Sequence, residues 1–316
     1  IKQYSEDIPI QRIKAIKNEH EVNGMKEGYL QDAAAKIQFL HWIQNEVKSG
    51  RTVTELSGDI KLREFREKQP DFVMPSFGSI SAFGPNGAVI HYKSTEETDV
   101  AITDKDLYLL DSGGQYKCGA TTDTTRTMHF GTPADRHKVG KHIDALPRQH
   151  LWNNGWNYNH GTGHGIGAML NVHEGSFNTR TTVPLVANVF MSDEPGYYED
   201  NDYGVRLETV VMVVEAETKY NFGDATFFTF EEVSFVPFDP KLIKYELMSE
   251  RQIEWLNDYN IKIREKVGPR IKDVNPEAYE WMLGQTEQVV SDSDSQRVVY
   301  SGVILAVQMF CVIMMV

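Results

Sequence analysis

Residues 160–175 restrict the folds open to this chain more than any other stretch. They hold three histidines and five glycines. Histidine suits metal binding and proton transfer near neutral pH, and glycine lets backbone approach a site closely. His160 and His164 have the spacing of a zinc-protease helix, but Gly161 and Gly163 would weaken a helix, and the Glu that this motif needs after the first His is absent. We therefore interpret the stretch as a loop beside a metal or catalytic site.

Two aspartates occur where the sequence predicts neighbouring strands. Asp111 follows the apolar run Leu107–Leu110, and a carboxylate at the end of a buried strand is unfavourable unless something pairs with it. Asp123 lies in a β-prone run after a glycine-containing turn. A hairpin would bring both carboxylates side by side, where they repel unless they share a proton or a cation.

Two glutamates occur in similarly unusual settings. Glu194 precedes Pro195, which cannot donate to a sheet ladder, so Glu194 is predicted near a strand end. Glu208 lies inside a predicted strand, Val205–Glu215, and alternation places it on the same face as Arg206. Taken singly, such residues are usually turn formers, salt-bridge partners or core histidines. Their joint occurrence favours a metal site.

Four carboxylates and one imidazole are too many ligands for a single zinc ion. They suit two divalent ions, whose charge they balance. Oxygen-rich ligation with one His favours Mn²⁺, with Zn²⁺ or Co²⁺ as alternatives. Two such ions, about 3.5–4 Å apart, lower the pKa of a shared water and polarise a carbonyl. The predicted reaction is hydrolysis.

The order of elements predicts the fold class. Apolar periodicity predicts a helix over residues 26–48, and Thr54 could cap a second helix that ends before Pro70. Strands and a later helix are predicted over Phe72–Met74, Ala88–Tyr92, Leu107–Leu110, Val205–Glu215, Thr226–Phe238 and Glu250–Val267. Helices first and strands later indicate α+β with a mostly antiparallel sheet. A net charge of −13 argues against nucleic acid as a partner, and two cysteines exclude a disulfide scaffold.

The C-terminal segment differs in composition from the rest of the chain. A small, polar stretch, Ser291–Ser295, is followed after a spacer by Gly302–Val316, which is apolar except for Gln308. A spanning helix needs roughly 20 apolar residues, so this run is short. Its layout is that of a signal for a lipid (GPI) anchor. The alternative is a C-terminal helix docked on the core, and the absence of an Asn-X-Ser/Thr sequon counts weakly against an extracellular location.

Six motifs together resemble one family. They are Asp111-Ser-Gly-Gly-Gln-Tyr116, Thr121-Thr-Asp-Thr-Thr-Arg-Thr127, His160-Gly-Thr-Gly-His-Gly165, Asn171-Val-His-Glu174, Asp193-Glu-Pro-Gly-Tyr-Tyr198 and Gly204-Val-Arg-Leu-Glu208. From about residue 10 to about residue 285 the chain resembles the catalytic domain of eukaryotic Xaa-Pro aminopeptidase (aminopeptidase P), an M24 metallopeptidase. The stretches Glu232–Asp239 and Ile263–Pro269 are more similar to its membrane-bound, GPI-anchored form.

This resemblance implies a pita-bread fold and a dinuclear metal site. The ligands that it implies are Asp111, Asp123, His164, Glu194 and Glu208. A hydroxide bridging the metals would attack the peptide carbonyl before proline, and Glu194 would pass the proton to the proline nitrogen. His173 would hold or protonate the scissile-bond region, and Arg206 would orient Glu208 or neighbouring groups. His91 and His160 would line the substrate site, with His91 a candidate proton shuttle.

The chain also departs from the family. Members carry two further N-terminal domains and form homodimers, whereas here we predict a linker over 1–16, a catalytic domain over 17–286, and a spacer and apolar tail over 287–316. A helix and turn of the family are missing between Gly140 and Lys141, which indicates a deletion. The loop Lys117–Ala120 is one residue longer than usual. Two rival functions stay open, a prolidase-like Xaa-Pro dipeptidase and an inactive pita-bread binding module.

Overall fold

A computed structural model describes residues 9–133, 148, 151–152, 155–175, 184–221, 223 and 225–289 of the chain. The predicted deletion near 140–141, the tail from residue 290 onward and the first eight residues of the linker lie outside this part. Across the described residues, no helix combines the length and the apolar character that crossing a membrane would need.

The longest helix, α2, runs over Glu19–Lys48 after a short helix α1 at Pro9–Ala15. It starts earlier than predicted because Asn18 forms a capping box with Glu21, each side chain accepting a hydrogen bond of 3.0 Å from the other's backbone N–H. Its inner face is buried in the main core through small and aliphatic residues. These include Ala33, Ala34, Ala35, Ile37, Leu40 and Ile43.

The helices at Glu55–Glu67 and Glu250–Lys266 follow the predicted pattern. Helix α3 spans Glu55–Glu67, and Thr54 caps it by accepting a hydrogen bond of 3.3 Å from Ser57 N–H. The remaining helices are α4 at Glu250–Lys266, α5 at Gly268–Ile271 and α6 at Pro276–Gln285. Helix α6 packs against α2.

Twelve short strands form five small sheets in the described part of the chain. They are β1 Val53–Thr54, β2 Phe72–Pro75, β3 Ile80–Phe83, β4 Ala101–Ile102, β5 Leu107–Ser112, β6 Gly114–Tyr116, β7 Thr124–His129, β8 Phe190–Asp193, β9 Gly196–Glu199, β10 Tyr203–Arg206, β11 Thr209–Glu215 and β12 Phe228–Glu232. The sheets have the orders β3-β5-β7, β12-β11-β8, β2-β6, β10-β9 and β1-β4, and their pairs are antiparallel. The predicted α+β class is confirmed.

The predicted strand Ala88–Tyr92 is wrong. Gly84–Ala88 form a 3₁₀ helix instead, and Val89 and Tyr92 continue the turn by donating hydrogen bonds of 3.2 and 3.0 Å to Asn86 O and Val89 O. Gly84 has a φ of +56°, and Pro85 opens the turn, so the chain curls immediately after β3. The strand of this region is β3, upstream of the glycine.

The predicted single strand Val205–Glu215 is also wrong. It breaks at Leu207 and Glu208 into β10 and β11, which belong to different sheets. The two residues at the break donate their backbone N–H groups elsewhere, Leu207 to Pro195 O and Glu208 to Thr125 O, both at 3.2 Å. Glu208 therefore lies in the break. Likewise, only Phe228–Glu232 of the predicted strand Thr226–Phe238 is a strand.

Candidate metal centre

The pairing of β5 with β7 brings the two aspartates together. Asp111 lies opposite Thr125 in the ladder, and Asp123 precedes Thr125 by two residues, so both carboxylates face one side of the hairpin. Both are buried, with 8 % and 4 % of their surface exposed. The hairpin predicted from the sequence thus exists, with the two aspartates offset diagonally.

The histidine-glycine loop runs along β8. Ser192 donates its backbone N–H to His164 O at 2.9 Å, and Glu194 donates to Thr162 O at 2.7 Å. This contact places His164 Nε2 at 3.4 Å from Glu194 Oε1 and at 3.6 Å from Asp123 Oδ2. His164 Nδ1 lies 3.0 Å from Gly165 O. Because a carbonyl oxygen only accepts, Nδ1 carries the proton and Nε2 is the nitrogen available to a metal.

Glu208 completes the group from the break between β10 and β11. Asp123, His164 and Glu208 each offer one ligand atom, and these atoms lie within 4.8 Å of one another. Thr125 Oγ1 donates a hydrogen bond of 2.9 Å to Glu208 Oε2. The structure thus brings Asp123, His164 and Glu208 together, with Glu194 beside His164, and the charge of Asp111 acts on both Asp123 and Glu208.

The carboxylates fit a cationic partner. Asp111 Oδ1 and Asp123 Oδ1 are buried and have no hydrogen-bond partner among the described residues. Burial, followed by the charges of Glu208 and Asp111, raises the pKa of Asp123 well above its usual value. Burial and neighbouring carboxylates raise the pKa of Glu194 and of Glu208 as well. Divalent ions would relieve this repulsion, so the side chains suit the two ions that were predicted.

Arg206 contacts Asp111 directly. Its Nη2 donates to Asp111 Oδ2 at 2.6 Å, and its Nε donates to Thr125 Oγ1 at 3.1 Å. The same Thr125 hydroxyl contacts Glu208, so Arg206 reaches Glu208 only through Thr125. The charge-assisted hydrogen bond from Nη2 fixes the orientation of the Asp111 carboxylate through Oδ2 and leaves Oδ1 available.

His160 belongs to a chain of hydrogen bonds that ends at Arg206. Its Nδ1 lies 2.7 Å from Gly161 O, so that nitrogen donates and Nε2 accepts from Tyr198 OH at 2.8 Å. Tyr198 OH in turn accepts from Arg206 Nη1 at 2.8 Å. Burial, more than any other cause, raises the pKa of Tyr198 to about 12, so the phenol keeps its proton.

His173 lies against His164, and both His173 and His91 are exposed. The His173 ring centroid is 4.0 Å from that of His164, in an edge-on arrangement. Partial burial, and then the charges of His164 and His91, lower the pKa of His173 to about 4. His173 is therefore neutral near pH 7. His91 is exposed on the loop that follows the 3₁₀ helix.

Sequence reasoning missed several residues around the group. Thr125 and Tyr198 lie within the quoted motifs, and the strand register could have identified Thr125. Tyr29 and Lys36 lie on α2, far away in the sequence. The Tyr29 hydroxyl is buried without a hydrogen-bond partner among the described residues, and burial and the charge of Asp123 raise its pKa well above 10.0. No local pattern marks either α2 residue.

The profile of metallopeptidase family M24 matches residues 23–139 and 136–215, and that of the C-terminal region of peptidase M24 matches residues 226–289. The chain belongs to metallopeptidase family M24. It is 44 % identical over 289 residues to a probable Xaa-Pro aminopeptidase P of Arthroderma otae, covering 83 % of this chain and 46 % of the relative. It is 40 % identical over 299 residues to aminopeptidase P2 of Arabidopsis thaliana, covering 86 % and 42 %. The chain thus spans less than half of these relatives' length.

Solved M24 structures share the fold. An X-prolyl aminopeptidase from Caenorhabditis elegans, described as a cytosolic enzyme with a di-nuclear active site, is 32 % identical with a TM-score of 0.83, covering 89 % of this chain and 50 % of that one. A Xaa-Pro dipeptidase from Bacillus anthracis is 26 % identical with a TM-score of 0.58, covering 73 % and 64 %. The predicted pita-bread fold is confirmed.

Proposed function

We propose that this chain is the catalytic domain of a metal-dependent Xaa-Pro aminopeptidase, which releases the N-terminal residue from peptides with proline in second position. The observation that carries the proposal is the convergence of Asp123, His164 and Glu208 in an M24 fold, with two buried carboxylate oxygens, of Asp111 and Asp123, that have no hydrogen-bond partner among the described residues. The names of the relatives support this choice of substrate.

The proposed metal ligands are Asp111, Asp123, His164, Glu194 and Glu208. Mn²⁺ is the proposed metal because oxygen ligands dominate, with Zn²⁺ or Co²⁺ as alternatives. When bound, the ions supply a lowered pKa for a shared water and polarise the scissile carbonyl. The C. elegans neighbour, described as having a di-nuclear site, supports a count of two.

The chain's own residues would position the peptide and move its protons. Glu194, whose pKa burial raises, would pass a proton to the proline nitrogen as that nitrogen leaves. His173 is neutral near pH 7 and would donate an N–H to the carbonyl oxygen as negative charge develops there. Arg206 would hold Asp111 in place, and Tyr198 would orient His160 toward the substrate. His91, on the exposed loop, is the proposed proton shuttle.

Purified protein loaded with Mn²⁺ tests the proposal directly. We expect two bound ions per chain by elemental analysis and hydrolysis of Xaa-Pro peptides longer than two residues. Fewer than one ion per chain would contradict the dinuclear centre. Activity confined to Xaa-Pro dipeptides would favour the prolidase-like alternative, which the B. anthracis neighbour represents. Metal binding without any turnover would favour the inactive binding module.

The remaining features are proposals from the sequence. The family profile matches in two pieces that meet at 136–139, which supports a missing segment near 140–141. Peptide mass spectrometry across that junction in the natural protein tests it. The homodimer of the full-length parent is proposed from the family resemblance, and gel filtration checks it.

The tail after residue 290 remains a proposed lipid-anchor signal. The alternative is a cytoplasmic protein, which the description of the C. elegans neighbour supports. Val307→Arg should release the protein from membranes by interrupting the apolar run. Identical membrane partitioning of the variant and the unmodified protein would rule out the signal.

A further inference from the structure

Lys36 lies on α2 with its ammonium group inside the protein. Only 2 % of its surface is exposed, and lysine is almost never buried to this extent unless it is paired. Its Nζ donates to Ser112 O at 2.5 Å and to Thr124 O at 3.0 Å, and it lies 3.1 Å from Asp32 Oδ2. Two backbone carbonyls and one carboxylate thus take up the three N–H donors of the ammonium.

The two carbonyls belong to residues next to proposed metal ligands. Ser112 follows Asp111 and Thr124 follows Asp123, and Ser112 and Thr124 lie opposite each other where β5 and β7 begin to pair. One ammonium group therefore contacts the backbone carbonyl of the residue that follows each aspartate. Because those carboxylates repel each other, the hairpin end needs such a link to hold them at a constant separation.

Asp32 has a second cationic partner besides Lys36. Its Oδ1 accepts from Arg66 Nε and from Tyr116 OH, both at 2.8 Å. Burial alone would raise the pKa of Asp32, but Arg66 and Lys36 outweigh it and lower that pKa to about 2. Arg66 contacts Ser112 through its hydroxyl, at 3.1 Å. Lys36 thus differs from Arg66 because it donates hydrogen bonds to two backbone carbonyls.

We propose that Lys36 is a positioning residue of the metal centre, which fixes the spacing of Asp111 and Asp123 by holding the backbone behind them. The inference rests on the proposed metal site and adds a residue from a distant helix. Partners of this kind, one step removed from the metal, typically change metal affinity 10–100-fold.

The direction in which Mn²⁺ affinity changes in Lys36→Met distinguishes a positioning role from a purely electrostatic one. Removing a positive charge near four carboxylates would by itself strengthen the binding of a cation. Losing the hold on the two carbonyls would weaken binding, because the carboxylates would no longer be held at the right spacing. Weaker binding in Lys36→Met therefore indicates positioning, and stronger or unchanged binding contradicts it.

The experiment titrates the metal-stripped chain with Mn²⁺ by calorimetry. We expect Lys36→Met to bind about 10–100-fold more weakly than the unmodified chain. The matched control is Lys241→Met. Lys241 Nζ donates to His129 O and lies 3.6 Å from Asp239 Oδ2, so it makes the same kinds of contact at the far end of β7. That end lies about 16 Å away along the strand, and the control should bind Mn²⁺ as the unmodified chain does.

Stability is measured alongside, so that a merely structural role can be recognised. A structural role lowers the melting temperature of Lys36→Met with no change in Mn²⁺ affinity, and that result overturns the inference. An equal loss of affinity in Lys241→Met overturns it too. If Lys36→Met does not fold, Lys36→Gln, whose side chain is one atom shorter and therefore loosens the hold on the two carbonyls, is titrated instead and is expected to bind more weakly. Failure of the unmodified chain to bind Mn²⁺ would contradict the metal centre itself.

Discussion

At the residue scale, the chemistry of the centre follows from burying several carboxylates together. Asp111, Asp123 and Glu208 are all buried, and each raises the pKa of a neighbour in the group. Such a cluster is unfavourable without a proton or a cation. Arg206 neutralises only one side of it, through Asp111.

Replacing one proposed ligand tests the assignment at this scale. We expect Glu208→Gln to lower kcat/KM by at least about a hundredfold, because an amide oxygen binds a cation less strongly than a carboxylate does, and losing a partner even one step further from the metal costs this much. Steady-state kinetics and elemental analysis measure the loss of turnover and of bound metal. Glu215→Gln, an exposed glutamate in β11, is the control. Unchanged turnover in Glu208→Gln would refute the ligand assignment.

The raised pKa values of Asp123 and Glu194 predict a pH dependence of metal stabilisation. A group with a raised folded-state pKa stabilises the metal-free fold fully below its unfolded pKa, about 4, and this contribution is lost as the pH rises through the folded pKa. Metal-bound ligands carry no proton, so the stability of the metal-loaded protein does not fall in this way as the pH rises. The rise in melting temperature on adding Mn²⁺ should therefore be larger at pH 8 than at pH 5, just above the unfolded pKa. A rise that is constant or smaller at pH 8 would argue against protonated carboxylates in the metal-free centre.

At the element scale, short strands and their interruptions position the reactive groups. Glu208 faces the centre because the strand breaks there and its N–H bonds to Thr125 O. The 3₁₀ helix Gly84–Ala88 turns the chain toward His91 and packs on β10. The sequence predicted the helices and β5 well, because capping and apolar periodicity are local signals. It did not predict the break between β10 and β11, because both segments are β-prone and differ only in the strands with which they pair.

The close contact between β10 and this 3₁₀ helix predicts that a methyl group added at Gly204 destabilises the fold. A Cβ on Gly204 would lie 1.8 Å from Gly87 O, so Gly204→Ala must push the backbone apart. We expect a loss of about 1–3 kcal/mol in the free energy of unfolding. Activity should fall as well, because Arg206 Nη1 contacts Ile90 O on the displaced segment at 3.3 Å. Urea unfolding measures the stability.

The matched control is Gly284→Ala in α6, where a Cβ would meet no atom within 4 Å. This change should leave stability unchanged or raise it by up to about 1 kcal/mol, because alanine is the better helix former. Equal stabilities of the two variants would show that the contact between Gly204 and Gly87 is not tight in solution.

At the scale of the whole molecule, the proposed metal centre is formed by residues from distant parts of the chain. Its proposed ligands come from β5, the start of β7, the histidine-glycine loop, the end of β8 and the break before β11. Arg126, a buried residue of β7, links this region to helix α4 by donating to Val236 O at 2.7 Å and to Tyr259 OH at 2.8 Å. Metal binding should therefore stabilise the entire fold rather than one loop.

Removing the metal tests this coupling. A ligand present at a hundred times its Kd stabilises the folded state by about 2.7 kcal/mol, so EDTA should lower the melting temperature of the Mn²⁺-loaded chain in a single cooperative transition. Differential scanning calorimetry measures it. An early local transition, with the main transition unmoved, would show that the centre is a separate unit.

The sequence by itself determined three of the helices, the cap at Thr54, the α+β class and the identity of the side chains that meet. Those signals depend on neighbouring residues, such as a capping box or a carboxylate after an apolar run. Only the tertiary structure decided that Asp111 is the group that Arg206 binds, that the predicted strand Val205–Glu215 breaks, and that Lys36 contacts the backbone next to both aspartates. Lys36 lies 76 and 88 residues from the carbonyls that it binds. Contacts at that separation depend on how α2 packs on the hairpin, and no local pattern encodes it.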